Sequence, residues 1–403
     1  MSRAKHAREF AARRLVQRRL GRMRDGAVIL AEHGRRQLLG RPIPGEQVPE
    51  VEVLAAPAWR AVAGQGAAGL LHAYGEQWWT TASLDEVTIF LQVLFRNLGG
   101  IEATGPISPS TLPLRRLLSH TNAIPASAAG SELPDDALAL VLDETRSASA
   151  ALFPGPGTGL AGAQVAKFDR LCRLLGLSPA DHVLEIGAGF GGFAVHAARH
   201  YGCKVTATST PQRQELVAKR VEEEGLSDLV SVVDDDLRQL RGGYDKLVAI
   251  EAIDGRDYQA FFARCATLLE RDGIMALQAV VVTDLRHERW QHSEDLARRL
   301  LSPKAALPSI HTLLEAASAS GAFALVGLDD IARHYAETLR RWRGAFLERR
   351  EDLRALGVDD KALRRFAFSL CYREAALLER KIGDVQCIFA RERWRPTGLA
   401  LPA

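Results

Sequence analysis

Residues 180–210, ADHVLEIGAGFGGFAVHAARHYGCKVTATST, constrain the fold more than any other stretch, because they read as strand, glycine turn, helix and second strand in succession. Val183 to Ile186 form the strand, Gly187, Ala188, Gly189, Phe190, Gly191 and Gly192 the turn, and Phe193 to His200 begin the helix. Glycines let the backbone come within contact distance of a ligand, and the helix start offers unpaired N–H groups to its polar end. The spacing satisfies G-x-G-x-x-G, which by itself fits NAD as well as S-adenosylmethionine. A dinucleotide site wants an acid at the end of the second strand for the ribose, whereas Lys204 to Ser209 runs into Thr210 and Pro211. Glu185, two residues before the first glycine, is instead the acid usual before this turn in proteins that bind S-adenosylmethionine, and the sequence favours that cofactor.

A chain of 403 residues, 47% apolar and 25% charged, has the length for two globular domains. No apolar run approaches the roughly eighteen residues of a membrane span, and no secretory leader is visible. The five cysteines form no C-x-x-C pair, so a reducing compartment is expected and a zinc site is not. The net charge of +3 is unevenly spread: residues 3–24 hold nine Lys and Arg against Glu9 alone, interleaved with Phe10, Leu15, Val16, Leu20 and Met23. That segment fits a helix lying on an anionic lipid surface, a solvated basic tail or an organelle-targeting presequence.

Strands are expected at 27–30, 36–39 and 51–54, and helices over 58–79 and 84–97. Pro and Gly punctuate 99–113, and 111–121 reads as a helix. From Gln164 onward helices and strands alternate to about residue 281, the pattern of a parallel sheet with its ligand at the strands' carboxyl ends. Residues 283–316 interrupt the pattern, and an Arg-rich helical stretch follows at 330–356.

Several blocks in the same order resemble the cyclopropane-fatty-acyl-phospholipid synthases and the related mycolic-acid methyltransferases. VLEIGAGFGGFAVHAARHYGCKVTATS is similar to the cofactor block of that family, LPSIHTLLEAA to its LPS segment, and HYAETLRRW and RFAFSLCYREAALLERKIGDVQ to its C-terminal signatures. GLLHAYGEQWWTTASLDEVTIFLQVLFRN resembles the small lipid-binding domain of the longer bacterial synthases. The resemblance implies an α/β fold: a doubly wound, Rossmann-like class I methyltransferase sheet over 161–395, with a helical insertion at about 283–356. Ahead of it would lie a basic amphipathic arm (1–24), an α+β lipid-binding domain (25–105), and a linker and cofactor lid (106–160).

The activity implied is methyl transfer from S-adenosylmethionine to the double bond of an unsaturated phospholipid acyl chain, giving a cyclopropane or methyl-branched lipid. Cofactor residues carried over are Ser149, Glu185, Gly187, Gly189, Phe190, Gly191, Ser209, Gln214, Asp236 and Leu237, with Asp236 beside the adenine amine and Leu237 on its ring. In the family five positions surround a bicarbonate that removes a proton. Here they become Ala150, Asp254, Gln278, Val280 and Tyr335, and only the tyrosine is kept, which argues against bicarbonate-assisted ring closure. Tyr335, Asp254, Gln278 and Glu251 are the catalytic candidates. An amide is no base at neutral pH, so a second reading, a catalytically silent lipid-binding partner or scaffold, stands beside the enzyme. The expected setting is cytoplasmic and peripheral to the membrane, with phospholipid chains as partners, without nucleic acid, and as a homodimer or paired with another lipid-modifying enzyme.

Overall fold

A computed structural model describes residues 3–97, 133–234, 237–253, 257–283 and 307–396. Two units emerge. The first takes the described residues up to Val141 together with Leu339–Lys381.

The basic segment is helix α1 (Arg3–Leu20), and its Ala12, Val16 and Leu20, spaced by four, are buried, as is Met23. It is therefore not a separable arm over 1–24: its apolar stripe belongs to the core of the first unit. Strands β1 (Gly26–Glu32) and β2 (Arg35–Arg41) form a hairpin about His33 and Gly34, both at positive φ as a two-residue turn requires. β3 (Glu50–Val53) pairs parallel with β1, and after α2 (Pro57–Gln65) and α3 (Ala67–Gly75) the short β4 (Trp79–Thr80) closes a sheet of order β2-β1-β3-β4.

The single helix expected over 58–79 is thus two. Gly66, at φ 56° and ψ −126°, breaks it, a backbone state that side chains disfavour. At Gly69 an added Cβ would lie 1.9 Å from the Ala61 carbonyl oxygen, so α3 crosses α2 at backbone contact. α4 (Leu84–Arg96) starts where the Ser83 side chain accepts the Glu86 N–H, and the short α5 (Asp135–Val141) follows. The linker and the helix expected at 111–121 lie outside the described residues.

The second unit holds α6 (Leu160–Leu175), β5 (His182–Ile186), α7 (Gly192–Tyr201), β6 (Lys204–Ser209), α8 (Pro211–Glu223), β7 (Val230–Asp234), β8 (Tyr244–Ile250), α9 (Tyr258–Leu268), β9 (Leu269–Val282), α10 (Ile310–Ala319) and β10 (Ala324–Asp330). Then come α11 (Ala332–Glu348), α12 (Arg350–Ala355), α13 (Asp360–Leu378) and β11 (Ile382–Ala390). The sheet order is β10-β11-β9-β8-β5-β6-β7, parallel except that β11 runs antiparallel to both its neighbours. Strand order reverses between β5 and β8, where a ligand crevice forms. Both faces are covered: Phe168, Phe193 and Val205 pack on one side, and Phe262, Leu277 and Phe389 on the other.

Two expectations change. The insertion read as helical over 283–356 contains an edge strand, β10, whose partner β11 lies some fifty residues further on, so no local pattern announces it; residues 284–306 are outside the described set. The stretch Leu339–Lys381 joins the first unit because α13 places Phe368 5.7 Å from the Tyr74 ring and Tyr372 4.9 Å from Phe95. All five cysteines are buried. Among the described residues no helix is long and apolar enough to cross a membrane.

Gly69→Ala should lower the stability of the first unit by about 1–3 kcal/mol, the range of overpacking, as read by urea unfolding. Gly34→Ala, at a turn where nothing lies within 4 Å of the added carbon, should cost less.

Candidate active site

The crevice at the carboxyl end of β5 is walled by Glu185, Gly187, Gly189, Phe190 and Phe193, with Ser147 and Ser149 above and Ile250 beside; its enclosed part is about 70 Å³. Gly187, Gly189 and Gly191 sit at φ 72°, 57° and 79°, where side chains strain the backbone. The three have different neighbours. A Cβ on Gly187 would meet the Ala252 Cβ at 2.4 Å and one on Gly191 the Val217 side chain at 2.9 Å, whereas nothing lies within 4 Å at Gly189. The turn is held from below by Thr208, whose hydroxyl accepts the Gly187 N–H at 2.9 Å and whose carbonyl accepts that of Ala188.

Two buried polar atoms here lack a partner, Glu185 Oε2 and Ser209 Oγ. An acid oxygen and a hydroxyl left unmatched beside glycines suit a ligand with a cationic amine and further polar groups. Burial pushes the Glu185 carboxyl up to about 8, opposed by its hydrogen bond from the Ala194 backbone and by the Lys167 charge. Gln214 donates to the Ser209 carbonyl at 3.3 Å, and the Leu237 carbonyl accepts from Arg264. Asp236 lies outside the described residues.

A strap over residues 145–153 covers the crevice. Lys167, fully buried on α6, donates to Ser149 Oγ at 2.6 Å and Ser147 Oγ at 2.9 Å, and Gln164 donates to the Ser149 carbonyl. Burial drives Lys167 down to about 8, while Glu251, Asp384, Asp143 and Glu185 oppose that fall. Arg220 ties the Thr145 and Phe190 carbonyls together, each at 2.9 Å. From α11, Thr338 Oγ1 accepts the Ala151 N–H at 3.0 Å and His334 Nδ1 that of Phe153 at 3.1 Å. Tyr335, 5% exposed, lies between them in sequence.

Next to this strap the structure assembles an acid and amide cluster. Glu251, just past β8, has a left-handed backbone at φ 51°. Its Oε1 accepts the Ala150 N–H at 2.8 Å and the Gln278 amide at 2.9 Å, and its own N–H donates to the Gln278 carbonyl. The Gln278 amide also reaches Asp384 Oδ2 at 3.1 Å, and its Oε1 accepts from Gln386 at 3.0 Å. Alternation produces this: antiparallel register sets Gln386 opposite Gln278 and Asp384 opposite Val280, all four on one face of β9 and β11.

Glu251 and Asp384 share the Gln278 amide as donor; burial raises both, and Asp384 is lifted further because the Glu251 charge adds to burial. Ile250 lines the crevice and Ala252 abuts Gly187, which puts Glu251 at the glycine turn.

The structure thus brings Ala150, Glu251 and Gln278 together and sets them beside the cofactor candidates Ser149, Glu185 and the glycines. Gln278 is engaged on every side by the protein, donating to the Ala150 carbonyl, Glu251 and Asp384 and accepting from Gln386. Asp254 lies outside the described residues. Sequence reading missed Asp384, Gln386, Lys167 and Gln164. A signal existed for the first two, polar residues two apart in the otherwise apolar run IGDVQCIFA, and for Lys167, set on the buried stripe of α6.

The family signature described as mycolic acid cyclopropane synthetase matches residues 119–387. The tuberculostearic acid methyltransferase UfaA1 of Mycobacterium tuberculosis is 30% identical over 348 residues, covering 83% of this chain and 81% of that protein. The cyclopropane-fatty-acyl-phospholipid synthase of Escherichia coli K12 is 27% identical over 364 residues, 87% and 90% of the two chains. Among solved structures, the cyclopropane synthase MmaA2 of Mycobacterium tuberculosis superposes with a TM-score of 0.60 at 26% identity, over 65% of this chain and 96% of that one. The mycolic acid cyclopropane synthase CmaA1, solved with SAH and CTAB, does so with 0.58 at 26%, over 64% and 94%.

Because Glu185 holds its proton up to about pH 8 in the fold but loses it near pH 4.5 when unfolded, its burial costs stability progressively as pH rises through that window. Glu185→Gln should therefore gain in melting temperature relative to the parent between pH 5 and pH 8. A difference that stays constant with pH would contradict the assignment.

Proposed function

The chain belongs to the mycolic acid cyclopropane synthetase family, and from that premise we propose that it transfers a methyl group from S-adenosylmethionine to the double bond of an unsaturated phospholipid acyl chain, with Glu251 as the proton acceptor. When bound, the cofactor supplies the electrophilic methyl. Glu185 would hold its ammonium, the N–H groups of the glycine turn and α7 its carboxylate, and Ser209 a hydroxyl. Leu237, and Asp236 by resemblance, would take the base.

An alkene is a weak nucleophile, so these residues contribute by positioning and by keeping water out. The π electrons would form the new carbon–carbon bond as the methyl–sulfur bond breaks and leaves its electron pair on sulfur, so that a cation stands on the neighbouring carbon of the chain. One proton must then depart, either from the added methyl, closing a ring, or from the chain, leaving a methyl-branched alkene; a hydride shift onto the cation followed by proton loss from the methyl would leave a methylene group instead. The observation that carries the reading is the Glu251–Asp384 pair beside the glycine turn. A carboxylate whose proton affinity is raised by burial is a stronger base than a solvated one, and the Gln278 amide, donating to both acids, holds the pair in place. This supplies from within the chain what the family draws from a bound anion. Tyr335, by resemblance, would face the developing positive charge with its ring.

A silent scaffold is the weaker reading: burying Lys167, Glu185, Glu251 and Asp384 around one crevice has a steep desolvation cost, and scaffolding gives no reason to retain it. The natural substrate is a membrane phospholipid, reached from the bilayer surface.

Incubation with methyl-labelled cofactor and vesicles of cis-unsaturated phosphatidylglycerol should place label in lipid. Ring and methylene products are isomers, so proton NMR rather than mass distinguishes them. Glu251→Gln should lower kcat by about 10²–10⁴, the range for a lost general base, with cofactor affinity by calorimetry unchanged. Full turnover in that variant would remove Glu251 from the mechanism; absence of label from every cis-unsaturated lipid offered to the parent would remove the function.

A further inference from the structure

The amides around Glu251 lead outward to a side chain that the mechanism does not use. Arg170 lies on α6 just beyond Lys167, its side chain 13% exposed, and donates from one terminal nitrogen to Gln386 Oε1 and from the other to Asp329. Gln386 Nε2 in turn donates to Gln278 Oε1 at 3.0 Å, and Gln278 Nε2 to Glu251 Oε1 at 2.9 Å and Asp384 Oδ2 at 3.1 Å. The chain of bonds therefore starts near the surface of α6 and crosses β11 and β9 to the acid pair. Gln278, Gln386 and Asp384 are buried throughout.

Two facing side-chain amides have no direction of their own. Gln386 can give an N–H to the Gln278 oxygen, or both amides can turn over and reverse the bond. The reversed pair would show the acids an oxygen, and each acid would have to hold a proton to meet it. The group at the far end decides. A guanidinium donates, never accepts and keeps its charge, so Gln386 turns its oxygen to Arg170, Gln278 turns its oxygen to Gln386, and the acids receive N–H. At the near end the Ala150 carbonyl stands 3.5 Å from Gln278 Nε2, too long a contact to set the direction alone.

We infer that Arg170 is a positioning residue for proton removal, acting through Gln386 and Gln278 to present N–H to Glu251 and Asp384 and so keep Glu251 ready to accept a proton. The inference rests on Glu251 as the proton acceptor of the proposed reaction and names what readies it. Among the charged groups nearby, Lys167 of α6 lies in the field of Glu251, Asp384, Asp143 and Glu185, while Arg170 faces Asp329 of β10 and His334 of α11. A carboxylate that receives an N–H keeps its charge more readily, so losing that donor moves its proton loss to higher pH.

The full-length protein is assayed from pH 5 to pH 9 for methyl transfer to vesicles of cis-unsaturated phosphatidylglycerol. Glu251 is titrated separately by carbon-13 NMR of its carboxyl, assigned with Glu251→Gln. In Arg170→Met the acid limb of the kcat profile should move up by about one pH unit, which is about tenfold in kcat below the limb, with the cofactor KM unchanged and the NMR titration moving alike. Gln386→Met breaks the chain but keeps the Arg170 charge; it should move the limb by a similar amount, and the double variant should move it no further. Arg170→Lys, still a donor that cannot accept, should hold the limb near its parental place. A limb that moves in Arg170→Met but stays in Gln386→Met would reduce Arg170 to a distant charge and overturn the inference, as would a loss confined to the cofactor KM. If one of the two methionine variants fails to fold, the other decides by whether its Glu251 titration moves. Should the parent transfer no label, the NMR titration still decides: a shift in the variants upholds the amide chain while the proposed reaction fails.

Discussion

The buried ammonium of Lys167 is the interaction on which the catalytic crevice depends. It lies within the field of Glu185, Glu251 and Asp384 and is hydrogen-bonded to Ser147 and Ser149. One cation faces three buried acids, and burial together with like-charge repulsion lifts Asp384 well above the ordinary carboxylate range. The same ammonium fixes the strap that roofs the glycine turn. Electrostatic balance and shape are therefore coupled: removing the charge would free the strap and alter the protonation of the acids at once.

How much of this the sequence reveals depends on whether the cause is local. The glycine turn and the alternation after Gln164 are legible because a positive-φ turn and a two- or 3.6-residue period are written in neighbouring residues. The break at Gly66 is also local, yet the apolar spacing from Ala58 to Trp79 predicts one continuous helix, because it outweighs one glycine. β10 and β11 were missed because a 14-residue β9 pairs with a strand a hundred residues later. The basic run at the start drew attention to its charge and concealed Ala12, Val16 and Leu20, the residues that make α1 a structural element.

The reaction centre shows the same limit. Judged position by position, it looks eroded, since a cysteine, a glutamate and a histidine of the family are replaced. Asp384 and Gln386 arrive from β11, and only the antiparallel register with β9 reveals that they stand against Gln278. A glutamine that cannot take a proton is well suited to fixing two groups that can, because its amide bonds an oxygen of each acid while Gln386 saturates its carbonyl.

The backbone at Glu251 ties the chemistry to the fold. A non-glycine residue at φ 51° costs on the order of 1–3 kcal/mol, and it persists where surrounding contacts determine it. Here the Glu251 N–H is held by the Gln278 carbonyl and its carboxyl by Ala150 and Gln278. The twist occurs immediately after β8, where strand order reverses and the sheet opens, so that the strand leaves its partner β5 and turns its acid toward the roof of the crevice instead of along the sheet. Ile250 and Ala252, on either side, are thereby left against the cofactor turn. An acid in an ordinary extended conformation at this position would follow the strand's alternation and give up one of these contacts. The strain is the consequence of placing a buried acid and the wall of the crevice on three consecutive residues.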